Sequence, residues 1–312
     1  MPSGYEALHA GAAWLDLSAR GRIYASGEDS ARLLHAMATN HVQQLTPDTG
    51  CYAFFLNAQG QIQADVNLFC LEGRFLLDTE PETRERVFQH LDKYIIADDV
   101  ALEDITAATG CIAVEGPHAV TVIAAMGALP PGAEYAHIAV DSAVVARVSE
   151  TGETGFRVFM PAAAQAEWIT RLESAGAIYA TPEEARVVRL EHGKPRYGED
   201  IFETTLPQET RQMRAVHFTK GCYLGQEIVE RIRSRGHVNR LLVKLEVEGD
   251  VPLAGGTKVR AGAVEAGEVT SSAFSPTLGQ VVALAYVRAQ YAVDATVLQA
   301  GGRGAVVQTL SA

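Results

Sequence analysis

From Leu241 to the end, the chain loses every helical period. LLVKLEVEG, TKVRAG, GEVTSSAF, QVVALAYV and ATVLQA alternate apolar and polar residues over short runs, and Gly or Pro turns separate them. Alternation with period two is what a strand with one buried face requires. Several such strands in succession predict a small antiparallel barrel or sandwich, since closure removes unpaired edges. Everything upstream mixes the helical and strand periods. Two regions are therefore expected: an α+β region over 1–238, and an all-β domain over 239–312.

Within the α+β region, SGEDSARLLHAMA (26–38) predicts a helix capped by Ser26, with Leu33, Leu34 and Met37 on its apolar stripe. CYAFFL and QIQADVNLFCL read as strands around the turn NAQG, with RFLLDT as a third. Residues 81–96 are again helical, CIAVEGP is a strand entering a turn, and HAVTVIAAMGA is a helix. Strand pairs are expected over 134–149 and 155–160, then a helix from Pro161 that carries Trp168, Ile169 and Leu172, with Gly176 just beyond its end. Thr181-Pro182-Glu183-Glu184 has the form of a capping box, and Gly193 with Pro195 ends the helix that it opens. The glycine-rich AGGRGA near the C-terminus lacks G-x-G-x-x-G spacing, so no dinucleotide fold is expected.

Composition narrows the function classes. The 312 residues hold no apolar run of the length, roughly 18–20 residues, that a membrane span needs. The opening MPSGYEALHAGAAWLDL lacks the basic and apolar regions of a signal peptide, which makes a cytoplasmic location the expectation. A net charge of −12 argues against direct nucleic-acid binding and against anionic membranes. RIRSRGHVNR (231–240) is a local exception, either a solvated surface or a basic rim for an anionic ligand. The four cysteines stand far apart with no C-x-x-C pair, so no metal site is expected. Cys51, Cys70 and Cys111 sit among apolar strand residues and read as small buried hydrophobes.

Three residues are candidates for chemistry. Cys222, in KGCYLGQE, follows Lys220 and precedes a helix expected to start near Gly225; positive charge and a helix N-terminus both favour thiolate. Glu191 ends the capped helix, where a carboxylate opposes the helix dipole unless Arg189, Lys194 or a ligand compensates it. Asp65 belongs with Gln61, Gln63 and Asn67 to the polar face of its strand, which reads equally as a solvated face or as a cavity wall.

KGCYLGQEIVERIRSRGHVNR resembles the signature of the YgfZ-type folate-binding proteins through Lys220, Gly221, Cys222, Tyr223, Gly225, Gln226, Glu227, Arg231, Gly236 and Arg240. The wider chain is similar to their relatives, the aminomethyltransferases or T-proteins of glycine cleavage. VEGP, TGETGFRVFM, RLEHGKPRYGED and GEVTSSAFSPTLGQVVALAYV carry that likeness. The resemblance implies an aminomethyltransferase-like α+β fold. Two interleaved, ferredoxin-like lobes and a C-terminal antiparallel β-barrel would surround a central cavity that binds tetrahydrofolate or a derivative. It implies Asp65 and Cys222 as catalytic groups, and Glu191, Tyr197, Lys220, Tyr223, Gln226, Arg231 and Arg240 as folate-binding residues. Glu191 would meet the pterin edge; Arg231, Arg233, Arg235 and Arg240 would meet the acidic tail. The implied role is support of [4Fe–4S] cluster assembly or repair, including in tRNA-modifying enzymes, with iron–sulfur enzymes or assembly proteins as partners. The alternative is folate-dependent aminomethyl or one-carbon transfer. Two departures from the T-proteins bear on that choice: their paired acids become Ala64-Asp65 here, and they lack Cys222.

Overall fold

The computed structural model describes residues 3–127 and 129–310, apart from the side chain of Arg235. Seven α-helices are present among them: α1 Gly4–Ala10, α2 Ser30–Met37, α3 Arg84–Asp92, α4 Ala119–Ala125, α5 Gln165–Ser174, α6 Pro182–Glu191 and α7 Gln226–Arg235. None is long and apolar enough to cross a membrane.

The strands form three sheets. A six-stranded sheet runs in the order Ile178–Tyr179, Ala13–Asp16, Thr109–Glu115, Gly155–Pro161, Ala143–Ala146, His137–Val140. A five-stranded antiparallel sheet runs Thr49–Leu56, Ile62–Leu71, Arg74–Thr79, Gly21–Ser26, Ala101–Asp104. All five of its strands lie between the first and second strands of the other sheet in sequence, so the two α+β lobes are interleaved. The third sheet is a closed six-stranded antiparallel barrel running from Arg240 to Gln308.

Each lobe covers one sheet face with helices: Trp14, Val114 and Phe156 pack on Trp168 and Leu172, while Phe55 and Leu77 pack on Leu34, Met37 and Leu91. The uncovered faces turn to each other through Phe54, Phe69, Cys111 and Phe159. Both sheets are therefore buried on both sides. That is why Ile62–Leu71 stays buried along nearly its whole length despite its alternating sequence. Its Asp65 and Asn67 do not face water; they face the space between the lobes.

The capping box at α6 forms as its spacing requires: Glu184 N donates to Thr181 Oγ1 at 3.2 Å and Thr181 N to Glu184 Oε2 at 2.8 Å. Three expectations change. Pro161 ends the strand Gly155–Pro161, and the helix expected to open there begins only at Gln165. Ser26 ends a strand, paired with Arg74 and Ala101, and α2 begins only at Ser30. The glycine-rich AGGRGA is the hairpin into a sixth barrel strand, Arg303–Gln308, which pairs with Arg240–Val247 and closes the cylinder. Cys70 and Cys111 are buried, Cys51 is partly exposed and Cys222 is exposed.

A buried ion network joins the two sheets. Asp78 of the five-stranded sheet is fully buried and accepts from Arg157 of the six-stranded sheet and from Arg20 Nε at 2.9 Å. Arg20 also pairs with Glu80, and Arg157 Nη2 donates to Glu150 at 2.7 Å. Removing one partner of a buried pair strands the other charge in low dielectric. Asp78→Ala is expected to cost about 3–5 kcal/mol of stability in chemical denaturation. Burial pushes the Asp78 carboxyl up, but Arg157 and Arg20 outweigh it and hold the group below its ordinary value. Its contribution is thus present above the unfolded carboxylate range and is lost as pH falls toward the lowered native value. A wild-type denaturation series should show that acid arm, and Asp78→Asn should diminish it.

Candidate functional site between the lobes

Three constraints shape the space between the lobes. Glu115, fully buried at the end of its strand, accepts from Ser149 Oγ at 3.2 Å, from Thr151 N at 2.9 Å, and from Glu150 N and Thr151 Oγ1. This is the physical content of VEGP and TGETG: one carboxylate gathers the donors of a loop. Arg189 of α6 reaches Asp200 at 2.7 Å and the Lys194 carbonyl at 2.6 Å. Asp200 in turn accepts from Thr270 Oγ1 at 2.6 Å and Ser271 Oγ at 2.5 Å. RLEHGKPRYGED and the barrel's GEVTSS are thereby locked together. Arg22, fully buried, has no carboxylate partner among the described residues and donates to the carbonyls of Ser18, Arg20, Thr106 and Thr109.

The cavity so enclosed is lined by Asp65, Tyr52, Asn67, Tyr135 and Gln212 together with six cations (Arg20, Arg157, Arg189, Lys194, Arg196, Arg214) and two further carboxylates, Glu80 and Glu150. In a chain of net charge −12 this wall is locally cationic. Tyr52 Oη donates to Asp65 Oδ2 at 2.8 Å, which fixes the carboxylate. Asp65 Oδ1 is buried and has no hydrogen-bond partner among the described residues. Burial raises the Asp65 carboxyl above its ordinary range, against the opposing pull of Arg20 and of the Tyr52 hydrogen bond. Burial also lowers the Lys194 ammonium to about 8. Tyr135 holds φ at +63°, a left-handed conformation that a bulky residue adopts only when its surroundings enforce it. Its N–H donates to the Arg147 carbonyl at 2.9 Å.

A second cavity of about 360 Å³ shares Arg20, Glu80, Glu150, Arg189 and Arg196 with the first. Its remaining wall is mostly apolar, with Leu15, Leu17, Pro81 and Tyr179.

Of the residues expected from sequence, Asp65 alone lines the Asp65 cavity. Glu191 has a different set of partners from the pterin edge: Tyr5 Oη at 2.6 Å, His9 Nε2 at 2.8 Å and Ser275 Oγ at 2.5 Å. Its carboxylate pins α1 and the barrel to the end of α6. Tyr197 Oη accepts from Arg86 at 2.7 Å. Lys220 is buried and turned inward, donating to the carbonyls of His35 and of Ala38 (2.6 Å) at the C-terminus of α2. The ammonium expected beside the thiol of Cys222 is thus spent as a helix cap. Tyr223 is buried with its ring 4.7 Å from Lys220 Nζ, and Gln226 Oε1 accepts from Tyr223 N at 3.3 Å. Gly225, at φ +84°, starts α7 and comes so close to the NAQG turn that a Cβ would stand 2.6 Å from the Asn57 carbonyl.

The basic rim is likewise drawn to protein partners. Arg240 clasps Glu209 at 2.9 and 3.2 Å and lies over Tyr286. Arg233 bonds Glu230 and covers Phe218, and Arg231 is exposed on α7. The side chain of Arg235 lies outside the described part. No group of three or more potential metal ligands occurs among the described residues.

The residues that sequence reasoning missed are Tyr52, Tyr135, Arg20, Glu80, Glu150, Arg157, Lys194 and Arg214. For Arg157 and Glu80 the signal was charge set in or beside apolar strands, as in GFRVF and LLDTE; the others gave none. The partners of Glu191 generate a test: Glu191→Ala removes three hydrogen bonds to a charged acceptor, each worth about 1.5–3 kcal/mol in other proteins. Thermal unfolding should shift downward, and Tyr5→Phe should reproduce part of the loss.

Comparison with known proteins follows the same architecture. Residues 3–220 match the GCVT N-terminal domain, and residues 240–309 match the glycine cleavage T-protein C-terminal barrel domain. An aminomethyltransferase of Rubrobacter xylanophilus is 34% identical over 291 residues, covering 91% of this chain and 78% of that protein. One from Streptomyces avermitilis is 32% identical, covering 93% and 82%. The crystal structure of glycine cleavage system aminomethyltransferase T from Bartonella henselae superposes with a TM-score of 0.89 at 23% identity, over 99% of this chain and 88% of that one, and so shares its fold. With both domain matches spanning nearly the whole sequence and the lobes and barrel arranged alike, the chain belongs to the glycine cleavage T-protein family.

Proposed function

We propose that the protein binds a reduced folate in the Asp65 cavity and transfers a one-carbon unit in the manner of an aminomethyltransferase. One observation carries this reading: Asp65 Oδ1, a buried acceptor with no donor among the described residues, beside an Oδ2 that Tyr52 already holds. An unsatisfied buried acceptor costs about 1–3 kcal/mol, which a ligand N–H would repay. A tetrahydropterin presents such N–H groups on a flat, partly apolar ring, and Tyr52 and Tyr135 border the same space. The folate, when bound, supplies the amine that accepts the one-carbon unit. Asp65 orients that amine and stabilises charge developing on it. Arg20 and Arg157 keep Glu80 and Glu150 paired, so the carboxylate facing the ligand is Asp65. The apolar cavity that adjoins across Arg20, Glu80, Glu150, Arg189 and Arg196 offers room for a one-carbon donor. Relatives at 30% identity and above bear the name aminomethyltransferase, which supports the transfer reading. The engagement of Glu191 by Tyr5, His9 and Ser275 favours Asp65 over Glu191 as the contact to the pterin.

A second reading is favoured by Cys222 alone, the YgfZ-like thiol exposed on the turn into α7. There the folate-bound protein would support iron–sulfur cluster assembly in partner enzymes, including tRNA-modifying ones, and the thiol would make the contact.

The two readings separate by substitution. Asp65→Asn is expected to lower aminomethyl transfer to tetrahydrofolate by about 10²–10⁴-fold, while Cys222→Ser leaves it intact. The reverse pattern, with loss of cluster-enzyme activity in Cys222→Ser cells, would replace the transferase reading by the assembly one. Protonation also has a direction. Because burial raises the Asp65 carboxyl, ligand affinity should weaken as pH falls through a value above the ordinary carboxylate range, and Asp65→Asn should abolish that arm in calorimetric titration.

A further inference from the structure

Away from the Asp65 cavity, a second group of titratable side chains gathers at the C-terminal end of α2. Three imidazoles stand in a row, His217, His41 and His35, with successive ring centres 5.1 and 4.7 Å apart and planes crossed at 81° and 64°. His217 and His41 are half-buried and His35 is buried. Hydrogen bonds fix two of the rings as neutral. His35 Nε2 lies 2.9 Å from the Lys220 carbonyl, which can only accept, so Nε2 carries the proton and Nδ1 accepts from Gln43 N at 3.4 Å. His217 Nδ1 likewise accepts from Thr219 N at 3.4 Å. His41 Nδ1 is buried and has no hydrogen-bond partner among the described residues.

The charge that meets this row is positive. Lys220 is buried and donates to the carbonyls of His35 and of Ala38 (2.6 Å). Burial lowers its ammonium to about 8, so it is still charged at neutral pH. Cys51 acts on Lys220, but burial pushes that thiol up to about 12 and keeps it uncharged. The other charges on the packed elements have their own partners: Arg32 of α2 with Asp98, Arg214 with Glu134, and Arg233 of α7 with Glu230. No carboxylate lies within 4.0 Å of Lys220 Nζ or of a ring nitrogen in the row among the described residues. What the row holds is the segment 217–224, which carries the exposed Cys222. His217 N donates to the Thr39 carbonyl and Leu224 N to the Ala36 carbonyl, both at 3.0 Å, with the His35 and Lys220 bonds between them. A proton on Nδ1 of His35 or His217 would face a backbone N–H there instead of accepting from it. We infer that His35, His41 and His217 form a proton-sensitive latch, which holds the Cys222 segment on α2 while the rings are neutral and releases it when they gain protons. The inference depends on neither reading of the function. Burial, and then the charge of Lys220, lower the His35 imidazole below its ordinary value, so the closed segment binds protons less readily than an opened one. Opening is therefore favoured as pH falls below the ordinary histidine value of roughly 6.5.

The test is hydrogen-exchange mass spectrometry at about pH 7.5 and about pH 5.5, on either side of the histidine range, corrected for intrinsic exchange rates. It compares wild type with His41→Phe and His217→Phe. Phenylalanine keeps the edge-on ring contact and takes no proton. In the wild type, protection of the 217–224 amides should fall about tenfold or more at the lower pH, the effect of a one-unit shift in a single pKa. Protection of the barrel strand Gln280–Arg288 should not change. Each variant should show a smaller acid loss in 217–224, and if one does not fold the other carries the comparison. Equal protection of 217–224 at both pH values in the wild type would overturn the inference. So would an acid loss as large as the wild type's in every variant that folds. A loss shared by the barrel strand would overturn it too, because the response would then be global unfolding rather than release of one segment.

Discussion

Asp78 holds the molecule's centre. It is a fully buried carboxylate on one sheet that takes a guanidinium from the facing sheet, Arg157, and another from the segment linking the lobes, Arg20. Apolar packing between the sheets is non-directional and would tolerate small rotations of one lobe on the other. Ionic hydrogen bonds at fixed angles do not, because any displacement leaves a charge uncompensated in low dielectric. The same guanidiniums hold Glu80 and Glu150 on the cavity wall. Lobe registration and cavity electrostatics are thus one feature of the structure.

Around that centre, each long sequence motif acts as an anchor between elements. Glu115 gathers the 149–151 loop; Arg189 and Asp200 lock α6 to the barrel; Glu191 ties α1 and the barrel to the end of α6; Lys220 caps α2. These residues occur in the stretches that carry the family likeness, yet among them only Arg189 reaches the Asp65 cavity wall. Their chemistry is structural: buried charges, each satisfied by donors or acceptors from a segment distant in sequence. Asp65 Oδ1 is the one carboxylate oxygen among the buried side-chain atoms left without a hydrogen-bond partner among the described residues.

Much of the fold was legible because it rests on local rules. The capping box of α6, the strands flanking the NAQG turn, and the alternating strands after residue 240 follow from hydrogen-bond geometry and side-chain periodicity over a few residues. The failures were local rules overridden. Ser26 has the makings of a helix cap but is held by two neighbouring strands. The last barrel strand was hidden because its hairpin is rich in glycine and its pattern short. At the site, a polar strand face such as Gln63-Asp65-Asn67 reads alike whether it meets water or a cavity.

By itself, then, the sequence determined most secondary elements, the all-β end and the kinship with the glycine cleavage T-proteins, each set by short-range periodicity or by motifs that survive as words. The tertiary structure alone decided which charges are spent and which are free. Glu191, Lys220 and Arg240 look available in sequence and are engaged by partners 84 to 186 residues away for the first, 182 and 185 for the second and 31 for the third. Asp65 reads in sequence as a solvated face or a cavity wall alike, and the fold makes it a buried acceptor with one oxygen unpartnered among the described residues. The reason is physical: the cost of a buried polar group depends on what completes its hydrogen bonds, and those completing groups come from remote segments that only the folded chain brings together.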